Sequence, residues 1–327
     1  MNRKGRMNVV LIGGGTGLSI LARGLKNYPI DISAVVTVAD DGGSTGKIRS
    51  EIDMPAPGDI RNVLAALSES EALIKDLFTY RFNKERIDGH SLGNLMIAAM
   101  YDMQGDFSVA IEKLSEILNV KGKVIPSTNL SPQLVAEMSD GSMYIGESYI
   151  PKASKQIERM YILPSNINGS NRAVEAIENA DFIIYGPGSL YTSIMPNVLP
   201  KNINNVLKNL NAHQIYISNI VEQPGETISM SAADAVEAIH KHIGKDVIKH
   251  VIASDENTKE LVTERYKEEG VTAVKIGINQ LKEKNINAYI YDNIVQKTED
   301  GILRHDSVQL SKNIYELLLE LVDTIEY

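Results

Sequence analysis

The stretch Val9-Val10-Leu11-Ile12-Gly13-Gly14-Gly15-Thr16-Gly17-Leu18 decides the fold. Four consecutive apolar residues run into glycines. Leu18, Leu21, Ala22 and Leu25 then recur at helical spacing. A continuous apolar run suits a strand buried on both faces, so the stretch reads as strand, turn and helix. Its glycines lack the Cβ atoms that would hold an anion away from the backbone. Helix N-terminal N–H groups and the macrodipole favour negative charge at that place. Against the dinucleotide pattern G-x-G-x-x-G the match is partial: Gly13 and Gly15 fit, and Leu18 stands where the third glycine belongs. A tight turn with no ligand is the structural alternative.

Working outward, Ile32–Val38 is a second β-branched run, ending at Asp40-Asp41-Gly42-Gly43-Ser44. Two strand–turn–helix units within fifty residues predict a parallel sheet. Asp59 is placed to cap a helix over Ile60–Leu67, and helices follow over Asn94–Met100 and Phe107–Leu118. Leu134–Met138 and Ser142–Gly146 flank Ser139-Asp140-Gly141, a hairpin signal. The α/β alternation then resumes with a helix over Ala173–Asn179 and a strand over Asp181–Tyr185 that runs into Gly186-Pro187-Gly188-Ser189. Further strands are expected at Ile215–Ile217, Val247–Ala253 and Val271–Ile276, with helices at Ala232–His242 and Thr258–Glu269. An amphipathic helix over Leu310–Ile325 turns Ile314, Leu317, Leu318, Leu321 and Ile325 inward. The expectation is one large α/β unit over 1–327 with a Rossmann-like, doubly wound, mainly parallel sheet. It carries an antiparallel β-hairpin insertion at 121–165 and a C-terminal α/β continuation at 231–327.

The second glycine loop, Val38–Lys47, fails as a P-loop, because Asp41 replaces the first glycine and Ile48 the final Ser or Thr. Asp40 ends a strand where a dinucleotide fold places an acid for ribose hydroxyls. Asp41 beside it suits Mg²⁺, which prefers few carboxylates plus phosphate oxygens; a helix-capping Asp pair is the alternative. The third loop, Gly186–Thr192, lacks the closing glycine of a hydrolase elbow, so Ser189 is not read as a nucleophile. Arg61 suits phosphate, and Asn62 and Asn94 suit a base or hydroxyl, with capping or surface solvation as the plain alternative. His240 and His242 stand two apart, do not share a helix face, and are read as solvated. The candidate ligand-binding set is therefore Gly13, Gly14, Gly15, Thr16, Gly17, Asp40, Asp41, Gly42, Gly43, Ser44, Asp59, Arg61, Asn62, Asn94, Gly186, Gly188 and Ser189. Asp40 and Asp41 are the candidate metal ligands, and no residue is assigned a catalytic role.

Composition narrows the chemistry. The 327 residues include no Cys and no Trp, and 33 basic against 42 acidic residues leave a formal charge of −9. Thiolate catalysis, disulfides and Cys-ligated metals are excluded. An acidic chain is a poor general binder of nucleic-acid backbone. The four-residue apolar run near the N-terminus is shorter than a signal peptide requires, and no run is long enough to span a membrane. A cytoplasmic protein without membrane insertion is expected. A homo-oligomer is the base-rate expectation, and no linear motif identifies a protein partner.

On Gly13–Gly17, Asp40–Ser44, Pro57-Gly58-Asp59-Ile60-Arg61, His90-Ser91-Leu92-Gly93-Asn94, Gly186–Ser189 and Asn219 with Gln223-Pro224-Gly225-Glu226-Thr227, the sequence resembles the bacterial gluconeogenesis factors (YvcK-like proteins). These form a branch of the superfamily that includes 2-phospho-L-lactate transferase (CofD-like). The resemblance covers essentially the whole chain. It implies a cytoplasmic regulator of cell shape and wall-precursor metabolism during gluconeogenic growth that binds nucleotide-sugars, UDP-sugars above all, with NAD less favoured. On that reading Gly14, Gly15 and Thr16 receive the diphosphate, Asp40 and Asp41 take ribose or metal, and Arg61 meets phosphate. Asn62 and Asn94 recognise base or sugar, while Gly188 and Ser189 close the site. The transferase relatives imply the alternative, a Mg²⁺-dependent group transfer from a nucleotide diphospho-donor. In those relatives the Asp-Asp-Gly-Gly motif supplies the metal-binding carboxylate, matching Asp40 and Asp41.

Overall fold

A computed structural model describes residues 6–83, 89–153, 155–255, 257–262, 266 and 268–322. Seven strands make one all-parallel sheet: β1 (Met7–Gly13), β2 (Ile30–Val36), β3 (Lys123–Pro126), β7 (Phe182–Tyr185), β8 (His213–Ile217), β9 (His250–Ser254) and β10 (Asn287–Tyr291), in the spatial order β10-β9-β8-β7-β1-β2-β3. A second, antiparallel sheet takes β4 (Gln133–Met138), β5 (Met143–Ile145) and β6 (Ile157–Leu163) in the order β5-β4-β6. The architecture is the expected doubly wound α/β fold with an antiparallel excursion.

The apolar run that opens the chain explains why β1 sits at the centre. Side chains alternate across a strand, and here both sides are core. Val9 and Leu11 join one cluster with Leu18, Leu21 and Leu25 of helix α1 (Gly15–Leu25), while Val10 and Ile12 join another on the opposite face. The first cluster also takes Val63, Leu64 and Leu67 of α3 (Gly58–Leu67) and Leu310, Ile314, Leu317 and Leu318 of the closing helix Ser307–Leu321. The second takes Val236 and Ile239 of the helix Ala232–Ile243 and Leu134, Met138 and Met160 of the antiparallel sheet. Each such side chain contributes about 1.5–3 kcal/mol when fully buried.

Several expectations shift. β3 lies within the 121–165 span but pairs in parallel with β2 at the sheet edge, so only β4–β6 are antiparallel. Val271–Ile276 is not a strand; it makes one isolated bridge, Val221 to Ala273. The last parallel strand is instead β10, a half-exposed edge strand that went unread although Ala288-Tyr289-Ile290-Tyr291 is apolar throughout. The helix expected over Thr258–Glu269 is described only as Thr258–Leu261, and Ile325 lies outside the described residues. Asp59 does not cap α3. Pro57 holds that position, and Asp59 lies in the first turn.

His240 and His242 are buried rather than solvated. His240 Nε2 accepts the Ile248 N–H at 3.0 Å, and His242 Nε2 accepts the Met160 N–H at 2.8 Å. Spacing of two does part their directions, but each side finds a backbone donor in a neighbouring segment.

The closing helix packs directly on α1. Ser307 Oγ donates to the Ile20 carbonyl at 2.7 Å, and any Cβ at Gly24 would overlap Ser311 Oγ and the Ser307 carbonyl. Gly24→Ala is therefore expected to force the two helices apart and destabilise the protein by about 1–3 kcal/mol, despite alanine's better helix propensity. A urea melt should show the midpoint falling; an unchanged or raised midpoint would contradict this close packing.

Candidate functional site

Strand order reverses between β1 and β7, so the loops after these strands leave on opposite faces of the sheet, where ligands of such folds bind. Here the two loops touch. A Cβ at Gly17 would overlap the Pro187 carbonyl, and one at Gly188 would lie 3.4 Å from the Gly14 carbonyl oxygen. The ionisable groups collect on the β2 side of this contact.

The helix N-termini that follow all three glycine loops are held by the protein's own carboxylates. Asp59 accepts the Gly15 N–H at the start of α1. Asp40 Oδ1 accepts the Gly42 N–H at 2.8 Å, at the start of α2 (Gly43–Glu51). Glu226 accepts the Tyr191 N–H at 3.1 Å and Thr192 Oγ1 at 3.0 Å, at the start of the helical turns Leu190–Val198. Each pairing sets negative charge against the positive end of a helix. The sequence reading gave Gly14, Gly15 and Thr16 to a diphosphate; of these, the Gly15 N–H is engaged by Asp59. Gly13 and Gly14 are buried. The Gly13 carbonyl accepts the Thr37 N–H and Asn197 Nδ2, each at 3.0 Å. Gly14 has no room for a Cβ because the Asp59 carboxyl occupies that space. Thr16 is exposed at the mouth.

Asp40 and Asp41 meet a third carboxylate that the sequence reading missed. One oxygen each of Asp40, Asp41 and Glu147 lie within 4.8 Å of one another. Glu147 comes from the antiparallel excursion, just after β5, and the chain is fitted closely around the acids. Ser148 donates its N–H to Asp41 Oδ1 at 2.9 Å. Gly146, at φ +102°, comes so near that a Cβ would lie 2.6 Å from Asp41 Oδ2, and one at Gly58 would lie 2.9 Å from Asp40 Oδ2. Arg49 ties the same loop to the excursion, donating to the Asp40 carbonyl at 2.6 Å, to Ser131 Oγ and to the Pro132 carbonyl. Burial, and then the neighbouring Asp40, push the Asp59 carboxyl up to about 7. Burial pushes the Glu147 carboxyl up to about 7 as well, followed by Asp40, Asp41, Asp59 and Glu226. An all-oxygen donor set of this kind fits a hard divalent cation such as Mg²⁺ or Mn²⁺, and each glycine cradle holds an acid where it can serve.

Arg61 stands close enough to Asp59 and Asp40 to feel their charge. Arg61 donates to Ser91 Oγ at 2.7 Å, to Asn94 Oδ1 at 3.2 Å and to Asn62 Oδ1 at 3.0 Å, all neutral acceptors. Its pKa is lowered, first by burial and then by Arg81. Asn94 also donates to Ser44 Oγ at 3.3 Å, and Ser44 lies 3.2 Å from His90 Nδ1. Asn62 and Asn94, expected to read a base or sugar, here orient Arg61 and Ser44. Gly42 and Gly43 stand beside them at the α2 start. Gly186, Gly188 and Ser189 lie behind the first glycine loop; Asn219 and Gln223 fasten Gly188 and Ser189 there.

A family model for 2-phospho-L-lactate transferase CofD matches residues 9–294. The gluconeogenesis factor of Bacillus subtilis is 45% identical over 313 residues, covering 95% of this chain and 98% of that protein. The gluconeogenesis factor of Listeria monocytogenes is 42% identical over 319 residues, covering 97% and 98%. A crystal structure of a UPF0052 family member from Bacillus halodurans, 44% identical, superposes with a TM-score of 0.90 over 95% of this chain and 100% of that one. Among the described residues no helix is long and apolar enough to cross a membrane.

The crowded acids make a stability prediction. Glu147 titrates near 7 in the fold against an ordinary 4.5. An acid with a raised folded pKa subtracts stability as pH climbs above its unfolded value, and the full loss is reached above its folded one. Glu147→Gln should therefore stabilise the protein at pH 8, on the order of 1–2 kcal/mol, and give no gain at pH 4. Chemical denaturation at the two pH values checks this; equal effects at both would remove the crowding account.

Proposed function

This chain belongs to the 2-phospho-L-lactate transferase CofD family, and on that footing we propose that it is a gluconeogenesis factor. In this reading it binds a nucleotide-sugar of the UDP class, together with a divalent cation, as a regulator of cell shape and wall-precursor metabolism under gluconeogenic growth. The observation that carries it is the convergence of three carboxylates, Asp40, Asp41 and Glu147, near Arg61, a cation that feels the charge of Asp40 and whose hydrogen bonds go to the neutral acceptors Ser91, Asn94 and Asn62.

A diphosphate is the ligand group that satisfies both the acids, through a cation, and Arg61. Asp40, Asp41 and Glu147 would hold Mg²⁺, which supplies charge to offset the phosphate oxygens that bind it. Arg61 meets the phosphate with its planar donor fork, steadied by Asn62 and Asn94. Thr16 offers an exposed hydroxyl, while Ser44 is buried against Asn94 and His90. Without a cation the acids repel an anionic ligand, so nucleotide binding depends on the metal. NAD shares the diphosphate but is less favoured, since Leu18 breaks the dinucleotide pattern.

The carboxylate cluster also favours a second reading, Mg²⁺-dependent group transfer from a nucleotide diphospho-donor. Turnover separates the two. Calorimetry with UDP-N-acetylglucosamine is expected to show binding with Mg²⁺ and none after chelation. Arg61→Ala should weaken it about 10- to 100-fold, the loss of a charge-assisted hydrogen bond. No binding of any UDP-sugar would sink the first reading. Phosphorus NMR of the bound donor should show it intact over hours; consumption of a guanosine diphosphate-type donor would establish the second.

A further inference from the structure

In the stretch Asn219–Thr227, three side chains, those of Asn219, Gln223 and Glu226, converge on one neighbour, the turn after β7. The Asn219 side chain pairs with both backbone groups of Gly188, accepting its N–H at 3.3 Å and donating to its carbonyl at 3.0 Å. Asn219 Nδ2 also donates to Gln223 Oε1 at 3.1 Å, and Gln223 Nε2 donates to Ser189 Oγ at 2.9 Å. Glu226, only 9% exposed, accepts from Tyr191 and Thr192. Thr227 Oγ1 accepts the Gln223 N–H at 3.0 Å, and Gly225, at φ +75°, lies so close to the Pro151 backbone that a Cβ would overlap it.

The turn held this way is a widened one. Ser193 and Ile194 both donate their N–H groups to the Ser189 carbonyl, at 3.0 and 2.9 Å. Single turns of this π type recur at functional sites. From it, contacts lead straight to the glycine loop after β1. Asn197 Nδ2 donates to the Ser193 carbonyl at 2.7 Å and to the Gly13 carbonyl at 3.0 Å. Gly17 rests on the Pro187 carbonyl, and Gly15 then holds Asp59. A loop with four glycines in five residues carries much backbone entropy that something must restrain. In the dinucleotide pattern the third glycine brings helix and strand together closely; Leu18 stands there instead.

We propose that Asn219, Gln223 and Glu226 are positioning residues of the ligand site: they lock the Gly188–Thr192 turn, and through Asn197 and Pro187 that turn holds the Gly13–Gly17 loop and the Asp59 carboxyl in place. The proposal rests on the reading that this cleft receives the ligand, but the restraint itself is measurable without one.

Amide hydrogen exchange on the ligand-free protein reads the restraint. Glu226→Gln sets an amide N–H₂ against donors, and Thr192→Val removes one hydroxyl donor and leaves the shape. Leu114→Ala, a buried site on the helix Phe107–Ile117, serves as a general destabilising control. Both test variants are expected to speed exchange at Gly13–Gly17 and Gly188–Thr192 about 10-fold beyond any change spread over the whole protein, which is the change that Leu114→Ala reports. Affinity for UDP-N-acetylglucosamine with Mg²⁺ should fall about 10-fold in the test variants and hold in the control. If Glu226→Gln does not fold, Thr192→Val decides. Glycine-loop exchange in the test variants equal to that in the control overturns the proposal, as does faster exchange with unchanged affinity. A wild-type protein that binds no UDP-sugar removes the functional reading, while the exchange comparison still decides the restraint.

Discussion

Carboxylates seated on helix N-termini organise this molecule. Asp59 on α1, Asp40 on α2 and Glu226 on the turn after β7 each satisfy backbone donors that a helix start leaves without intrahelical partners. Those three pairings pin the loops emerging beside the switch point of the sheet. They also bring Asp59 and Asp40 close enough to raise the Asp59 pKa. A site built in this way is internally neutralised at its helix ends and acidic at its centre, which invites a cation before it invites an anion.

The antiparallel excursion completes that centre. Its inner face packs into the second core with Leu134, Met138 and Met160, so Glu147 and Ser148 arrive on a rigid support. Gly146 and Gly58 give up side chains so that Asp41 and Asp40 can be approached closely. Arg49 fastens the β2 loop to the excursion from beneath, through Ser131 and Pro132. The formal charge of −9 is distributed so that Asp40, Asp41 and Glu147 gather at one place, with the Arg61 guanidinium near Asp40.

Much of the fold was legible because burial writes a clear pattern. Val9–Ile12 and Phe182–Tyr185 are apolar at every position, as strands covered on both faces must be, and Leu18, Leu21 and Leu25 follow the helical period. β10 escaped although Ala288-Tyr289-Ile290-Tyr291 is an apolar run of the same length, while Val271–Ile276 looked like a strand but carries only one bridge. Asp40 and Asp41 were legible as candidates at a glycine-rich strand end, and Asp59 and Arg61 at a helix start. Glu147 was not. One glutamate after an exposed hairpin strand carries no periodic or motif signal, and its partners lie more than a hundred residues away. His240 and His242 misled for a related reason: their acceptor roles depend on Ile248 and Met160, which only packing brings near.

From the sequence alone came the layered α/β architecture and the three glycine turns, because hydrophobic period and backbone freedom are local properties; the strand order that puts β1 between β7 and β2 did not. Tertiary structure alone decided what the turns hold. Which carboxylate reaches which amide, and whether Glu147 joins Asp40 and Asp41, depends on distances across the fold, and those follow from how the sheet, its helices and the excursion pack together.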